Sequence, residues 1–159
     1  MEQQKFKIGI VIQARINSSR LPNKILKDFF RGKSILEIQI EKLLTLKLPI
    51  IVATTNNILD DEIVFFCKKN RIKYFRGDEN NVLKRFVDLI KINNFKYILR
   101  VCSDNPFIDL NLIKTLTKFA DLKNDYISYF LDDNTPVIKT HYGVFCEIWS
   151  SLLQPRWMS

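Results

Sequence analysis

Apolar runs of strand length alternate along this chain with longer stretches in which apolar residues recur every three or four positions. Ile8 to Gln13 is nearly continuous in apolar residues, as expected of a strand buried on both faces. Ser34-Ile35-Leu36-Glu37 has the spacing of a capping box and predicts a helix running to about Leu46. Pro49 to Thr54 predicts a second strand, and Leu59 to Asn70 a second helix with Ile63, Phe66 and Cys67 on one side. A short third strand follows at Ile72 to Phe75, a third helix at Val82 to Ile92, a fourth strand at Tyr97 to Val101, a fourth helix at Leu110 to Ala120 and a fifth strand at Tyr126 to Phe130. This alternation predicts an α/β fold, an open and mainly parallel sheet with helices on both faces. Ligands of such folds bind beyond the carboxyl ends of the strands.

Three loops should therefore open onto one edge: Arg15 to Lys24 after the first strand, Thr54-Thr55-Asn56-Asn57 after the second, and Ser103-Asp104-Asn105-Pro106 after the fourth. The first loop gathers Arg15, Ser18, Ser19, Arg20 and Lys24 directly behind an apolar strand. A strand end of this kind places backbone N–H groups and cations where a polyphosphate can sit. The loop has neither the GxxxxGK[ST] run of a Walker A motif nor the GxGxxG run of a dinucleotide fingerprint, so Arg15, Arg20 and Lys24 must supply the positive charge. Arg grips two phosphate oxygens through its planar fork, and Lys acts as a point charge. The plainer alternative is a solvated basic loop.

Asp104 stands just past an apolar strand, with Pro106 stiffening the turn. A carboxylate there could hold Mg²⁺ with phosphate oxygens and waters as the other ligands, or it could close an Asx turn. The Asn56-Asn57 pair reads as turn structure. Arg85, one helical turn past the acidic segment Asp78-Glu79, could reach a nucleotide, although a surface salt bridge to Asp88 or Glu79 is the more ordinary role. His141 has no nucleophile signature around it and reads as a loop residue.

Length and composition fit one compact domain: 159 residues, 47% hydrophobic. Three cysteines, at 67, 102 and 146, are too far apart for a C-x-x-C pair and leave one over in any disulfide scheme, which points to a reduced, cytoplasmic setting. No run approaches a membrane span of roughly 18 apolar residues. The formal net charge of +8 raises a nucleic-acid partner. The basic residues are spread along the whole chain without an interleaved aromatic stripe, so neither nucleic acid nor a membrane is expected as partner.

The order of residues 13 to 24 resembles Q-A-R-x-x-S-[ST]-R-L-P-x-K, the N-terminal signature of the sugar cytidylyltransferases, and within them the spore-coat polysaccharide F-like branch. Arg100-Val101-Cys102-Ser103-Asp104-Asn105-Pro106-Phe107-Ile108-Asp109 resembles the family's R-x-T-G-D-x-P-L-I-D segment, whose central Asp binds the metal. Phe75 to Phe86 resembles F-R-G-x-E-x-D-V-L-x-R-[FY]. The resemblance implies a Rossmann-like sheet of the nucleotide-diphospho-sugar transferase type. It implies Mg²⁺ on Asp104, and Arg15, Lys24 and Asp104 as catalytic residues. Gln13, Ala14, Arg15, Ser19, Arg20, Lys24, Arg85 and Ser103 would hold the nucleotide, with the backbone near Ala14 and Ser103 reading base and ribose. CTP and a sugar or sugar acid are the implied partners, and a homodimer the implied assembly.

Two departures stand out. Cys102-Ser103 replaces the usual Thr-Gly, and Phe145 occupies the position of the Asp that completes the family's metal site in G-x-D-V-E-x-F-S. A phenyl ring cannot ligate Mg²⁺, so Glu147 takes over, or Asp132 or Asp133 does, or catalysis is weakened. The resemblance runs from about Ile8 to Ser150 and implies a single domain over 1–159 that lacks the family's C-terminal part. The function expected is transfer of CMP from CTP to a sugar for surface polysaccharide synthesis. The alternatives are a non-catalytic nucleotide-binding remnant, or a glycosyltransferase, a class whose usual D-x-D motif this chain does not carry.

Overall fold

The computed structural model describes residues 8–16, 23–120, 124–129 and 146–151. Four parallel strands build the sheet: β1 (Ile8–Gln13), β4 (Ile50–Thr55), β5 (Lys73–Gly77) and β6 (Tyr97–Cys102). Two more, β7 (Tyr126–Ile127) and β8 (Cys146–Ser150), run antiparallel, and the strand order is β5-β4-β1-β6-β8-β7. A small hairpin, β2 (Asp28–Phe30) and β3 (Lys33–Ser34), stands apart. Its two-residue turn places both Arg31 and Gly32 at positive φ, the geometry that matches the twist of a tight hairpin.

Four helices connect the strands: α1 (Ile35–Leu44), α2 (Asp61–Lys69), α3 (Val82–Asn93) and α4 (Leu110–Lys118). The starts of α1, α3 and α4 follow from short polar side chains that satisfy otherwise orphaned amides. Ser34 Oγ accepts from Glu37 N at 3.2 Å, Asn81 Oδ1 from Lys84 N at 2.8 Å, and Asp109 Oδ1 from Asn111 N at 2.7 Å. One 3-10 turn, Ile58–Asp60, leads into α2, so this helix begins two residues later than its apolar period suggests.

Alternation along β1 sends Ile10 and Ile12 to one face and Val11 to the other. The first face packs on Leu36, Ile40 and Leu43 of α1, Ile63 and Cys67 of α2, and Ile113 and Leu116 of α4. The second packs on Phe86, Leu89 and Ile90 of α3. Helices thus cover both faces, as expected. At Gly9 a Cβ would lie 2.4 Å from the Phe95 ring, so only glycine admits this approach.

Strand β8 is absent from the expectation. Cys146, Glu147, Ile148 and Ser150 are all buried, which removes the polar–apolar alternation by which a half-exposed strand is recognised. The fifth predicted strand shrinks to Tyr126 and Ile127, with Phe130 outside the described residues. Helix α1 ends at Leu44, ahead of Lys47, whose φ of 55° does not continue a helix.

Strand β1 lies between β4 and β6: the chain winds outward through β4 and β5 and then returns to β6 on the other side. The crevice at the carboxyl ends of β1 and β6 is the topological switch point, where open α/β sheets bind ligands.

Candidate nucleotide site

Gln13 closes β1, and the backbone beyond it is tied to both neighbouring strands. Ala14 N donates to Ala53 O at 3.0 Å, and Ser103 N donates to Gln13 O at 3.1 Å. These bonds fix the floor of the crevice. The Ala14 and Ser103 N–H groups are thus engaged within the protein. Ser103 is itself buried. The Arg15 amide carries no such bond among the described residues.

The loop then turns on Asp60, a residue the sequence analysis passed over. Its carboxylate is 2% exposed and accepts from Ile16 N at 2.7 Å through Oδ1. Oδ2 accepts from Thr55 N at 3.1 Å and from Thr55 Oγ. A buried carboxylate is tolerable only when its lone pairs are met, and here the donors come from the loop after β1 and the last residue of β4. The one available signal was an acid placed at the start of an amphipathic helix, which reads equally well as a cap.

Past the segment 17–22, which holds Ser19 and Arg20 and lies outside the described residues, Asn23 takes φ 60° and donates its backbone N–H to Ile16 O at 3.2 Å. That turn delivers Lys24 to the edge. Lys24 Nζ meets Asp104 Oδ2 at 2.7 Å, with side-chain exposures of 31% and 47%. The structure therefore joins the two loops that the sequence placed together only by topology. Arg15, two residues past the end of β1, is exposed.

Asp104 Oδ1 has no partner among the described residues, and no group of three or more His, Cys, Asp or Glu gathers there. One outward carboxylate at a strand edge fits a cation that keeps its waters and takes its remaining oxygens from phosphates. It does not fit an all-protein cage.

Glu147 is a correction. It lies on β8 opposite Arg100 of β6 and is 2% exposed. One carboxylate oxygen accepts from Arg100 Nη1 and the other from the Tyr126 hydroxyl at 2.7 Å. With both oxygens taken inside the sheet, Glu147 is not placed to ligate a metal. Asp132, Asp133, His141 and Phe145 fall outside the described residues. Arg100 Nε in turn donates to Gln13 Oε1 at 2.9 Å, and its guanidinium lies 5.5 Å from the Trp149 ring centroid. A chain of polar contacts therefore runs from β7 through β8 and β6 to the end of β1.

Arg85 also differs from the surface role considered for it. Asp88 accepts instead from Lys84 at 2.9 Å, and Glu79 from Asn57 at 3.0 Å. Arg85 is 1% exposed, and its Nε and Nη1 have no hydrogen-bond partner among the described residues. Gly77 leaves room for it: a Cβ there would come within 2.8 Å of Arg85 Cγ. Burial pushes the pKa of this guanidinium down; the charge of Asp60 pulls it up, while Arg15 and Arg100 push it further down. Arg85 is thus a buried cation within electrostatic reach of Arg15 and, among the described residues, without a hydrogen-bonded counter-ion. Asn57 proves structural, capping the 3-10 turn through Leu59 N at 2.9 Å.

The fold and this edge define an α/β domain of the Rossmann-like nucleotidyltransferase type. The family model described as cytidylyltransferase matches residues 9–142, and the chain belongs to that family. It is 40% identical over 126 residues to the uncharacterized protein MJ1063 of Methanocaldococcus jannaschii, a match covering 77% of this chain and 51% of that protein. It is 32% identical over 132 residues to the spore coat polysaccharide biosynthesis protein SpsF of Bacillus subtilis, covering 79% and 54%. The chain thus spans about half the length of the curated relatives it matches. Among solved structures, a cytidylyltransferase from Leptospira borgpetersenii serovar Hardjo-bovis superposes with a TM-score of 0.77 at 29% identity, covering 92% of this chain and 61% of that one. No described helix is long and apolar enough to cross a membrane.

Proposed function

We propose that this chain forms the nucleotide-binding part of a sugar cytidylyltransferase, which transfers CMP from CTP to a sugar, an acidic one by preference, and releases pyrophosphate. The observation that carries the reading is the meeting of Lys24 and Asp104 at the switch point, in a chain of the cytidylyltransferase family. The name of the related spore coat protein supports a polysaccharide role. Family membership speaks against a glycosyltransferase.

In the proposed reaction a sugar hydroxyl attacks the α-phosphorus in line, and pyrophosphate leaves. Arg15, Arg20 and Lys24 neutralise the charge that builds on the leaving phosphates, and positioning with charge stabilisation carries most of such a step. Asp104 would hold Mg²⁺ against the α-phosphate, where the cation supplies electrostatic stabilisation of the transferring group. Lys24 must release Asp104 to reach the phosphates, so nucleotide entry exchanges a protein ion pair for a lysine–phosphate contact. Arg85 lies beneath as a standing positive charge.

The test is pyrophosphate release measured over the four nucleoside triphosphates and a panel of sugars and sugar acids with Mg²⁺. Turnover with CTP and one sugar acid is the expected result. Release from another nucleotide, or sugar transfer from a nucleotide sugar, would overturn the reading.

A further inference from the structure

On the apolar face of α1, among Leu36, Ile40 and Leu43, stands a fully buried glutamine, Gln39. An aliphatic side chain at that position would extend the core at no polar cost, whereas a buried primary amide is unfavourable unless it is paired. Gln39 is only half paired. Its Nε2 donates to Cys102 O at 2.8 Å and to Asn105 O at 2.9 Å, while its Oε1 has no partner among the described residues. Both donated bonds go to one turn, and the two carbonyls bracket Ser103 and Asp104.

We infer that Gln39 is a positioning residue which holds the 102–105 turn closed so that Asp104 presents its carboxylate to a divalent cation. The inference rests on the metal role proposed for Asp104. Three ties converge on this turn: Gln39 from the helix beneath, Gln13 O accepting from Ser103 N on the β1 side at 3.1 Å, and Asn105 Oδ1 accepting from Phe107 N at 3.2 Å. The Gln39 tie is the one that binds both ends of the turn at once. Without it, the Cys102 and Asn105 carbonyls lose a buried donor and must rotate toward another, and Asp104 lies between them. A buried amide that serves two carbonyls beside a metal-ligating carboxylate does what outer-shell partners do elsewhere: it fixes the orientation of the ligand.

Gln39→Met keeps the length and an apolar volume suited to this face, and it removes both donors. CTP and CMP binding would be measured by calorimetry with and without Mg²⁺ for the unsubstituted protein, Gln39→Met and Asp104→Asn. In the unsubstituted protein Mg²⁺ should strengthen CTP binding, and Asp104→Asn should remove that gain. Gln39→Met should cut it by roughly tenfold or more, as outer-shell losses do, with metal-free CMP binding unchanged. A full gain in Gln39→Met beside a lost gain in Asp104→Asn would overturn the role of Gln39 and leave Asp104 standing. A full gain in Asp104→Asn, or none in the unsubstituted protein, would overturn the metal role and this inference with it. If Gln39→Met does not fold, nuclear magnetic resonance on the unsubstituted protein decides the matter. The Gln39 side-chain amide protons should exchange slowly and shift with Mg²⁺–CTP but not with CTP alone; free exchange without a shift would sink the assignment.

Discussion

Lys24 and Asp104 neutralise one another across 2.7 Å at the edge of the sheet, yet the proposed chemistry gives each a different partner. Lys24→Ala or Arg15→Ala should therefore weaken CTP binding by about 2 kcal/mol, the value of a charge-assisted hydrogen bond, and leave CMP binding nearly intact. Equal losses for CTP and CMP in a calorimetric titration would place these cations away from the leaving phosphates. The thiols give a residue-scale prediction in pH. Burial pushes Cys67 and Cys146 from 9.0 up to about 12. A raised folded-state pKa contributes stability that is complete below 9.0 and declines as pH climbs toward about 12, where the unfolded thiols ionise first. Urea midpoints should fall across that window, and a Cys67→Ala, Cys146→Ala double variant should show less of the fall. At this scale the sequence revealed the charged residues of the strand-end loops, since Arg15 and Asp104 each stand just past a strand and Lys24 lies in the loop that follows β1. It concealed Asp60 and Gln39, whose roles lie in bonds reaching 44 and 66 residues along the chain. Nothing local distinguishes such side chains from a cap or a surface amide.

Between elements the structure depends on a few polar ties, and each can be cut separately. Ser34→Ala removes the acceptor for Glu37 N and should cost about 1 kcal/mol in chemical denaturation. Glu147→Gln should cost more, about 3 kcal/mol, because it leaves the Arg100 guanidinium in the sheet without its counter-charge. A loss below that of Ser34→Ala would mean that the pair adds little. The strands and helices were largely legible, because buried parallel strands are continuous apolar runs and their covering helices keep a clean period. Two antiparallel pieces were not. Strand β8 mixes Cys, Glu, Trp and Ser, and only the contacts of Glu147 with Arg100 and Tyr126 explain a glutamate in the middle of a sheet. The hairpin β2–β3 is too short to show any period.

For the whole molecule, a ligand that binds only the folded state raises its stability by mass action. Mg²⁺–CTP should lift the thermal midpoint more than the ATP, GTP or UTP complexes. Matching shifts for all four would remove the cytidine assignment while leaving a nucleotide site. The architecture and its switch point followed from the order of strands and helices. The finer electrostatics did not, since the Arg85–Arg15–Asp60 grouping is assembled from three separate loops and helices.

Strand β8 is made after β7 but is inserted between β7 and β6. During vectorial synthesis, β1, β4, β5 and β6 can therefore assemble while the outer rim of β6 still has bare amides and carbonyls, and β7 has nothing to pair with until its successor emerges. Such an unclosed rim is a template for wrong strand addition. Closure brings Glu147 to Arg100 in the same movement that covers the rim. Ribosome-bound chains halted before Cys146 should therefore be the aggregation-prone species, and those released past Ser150 should not.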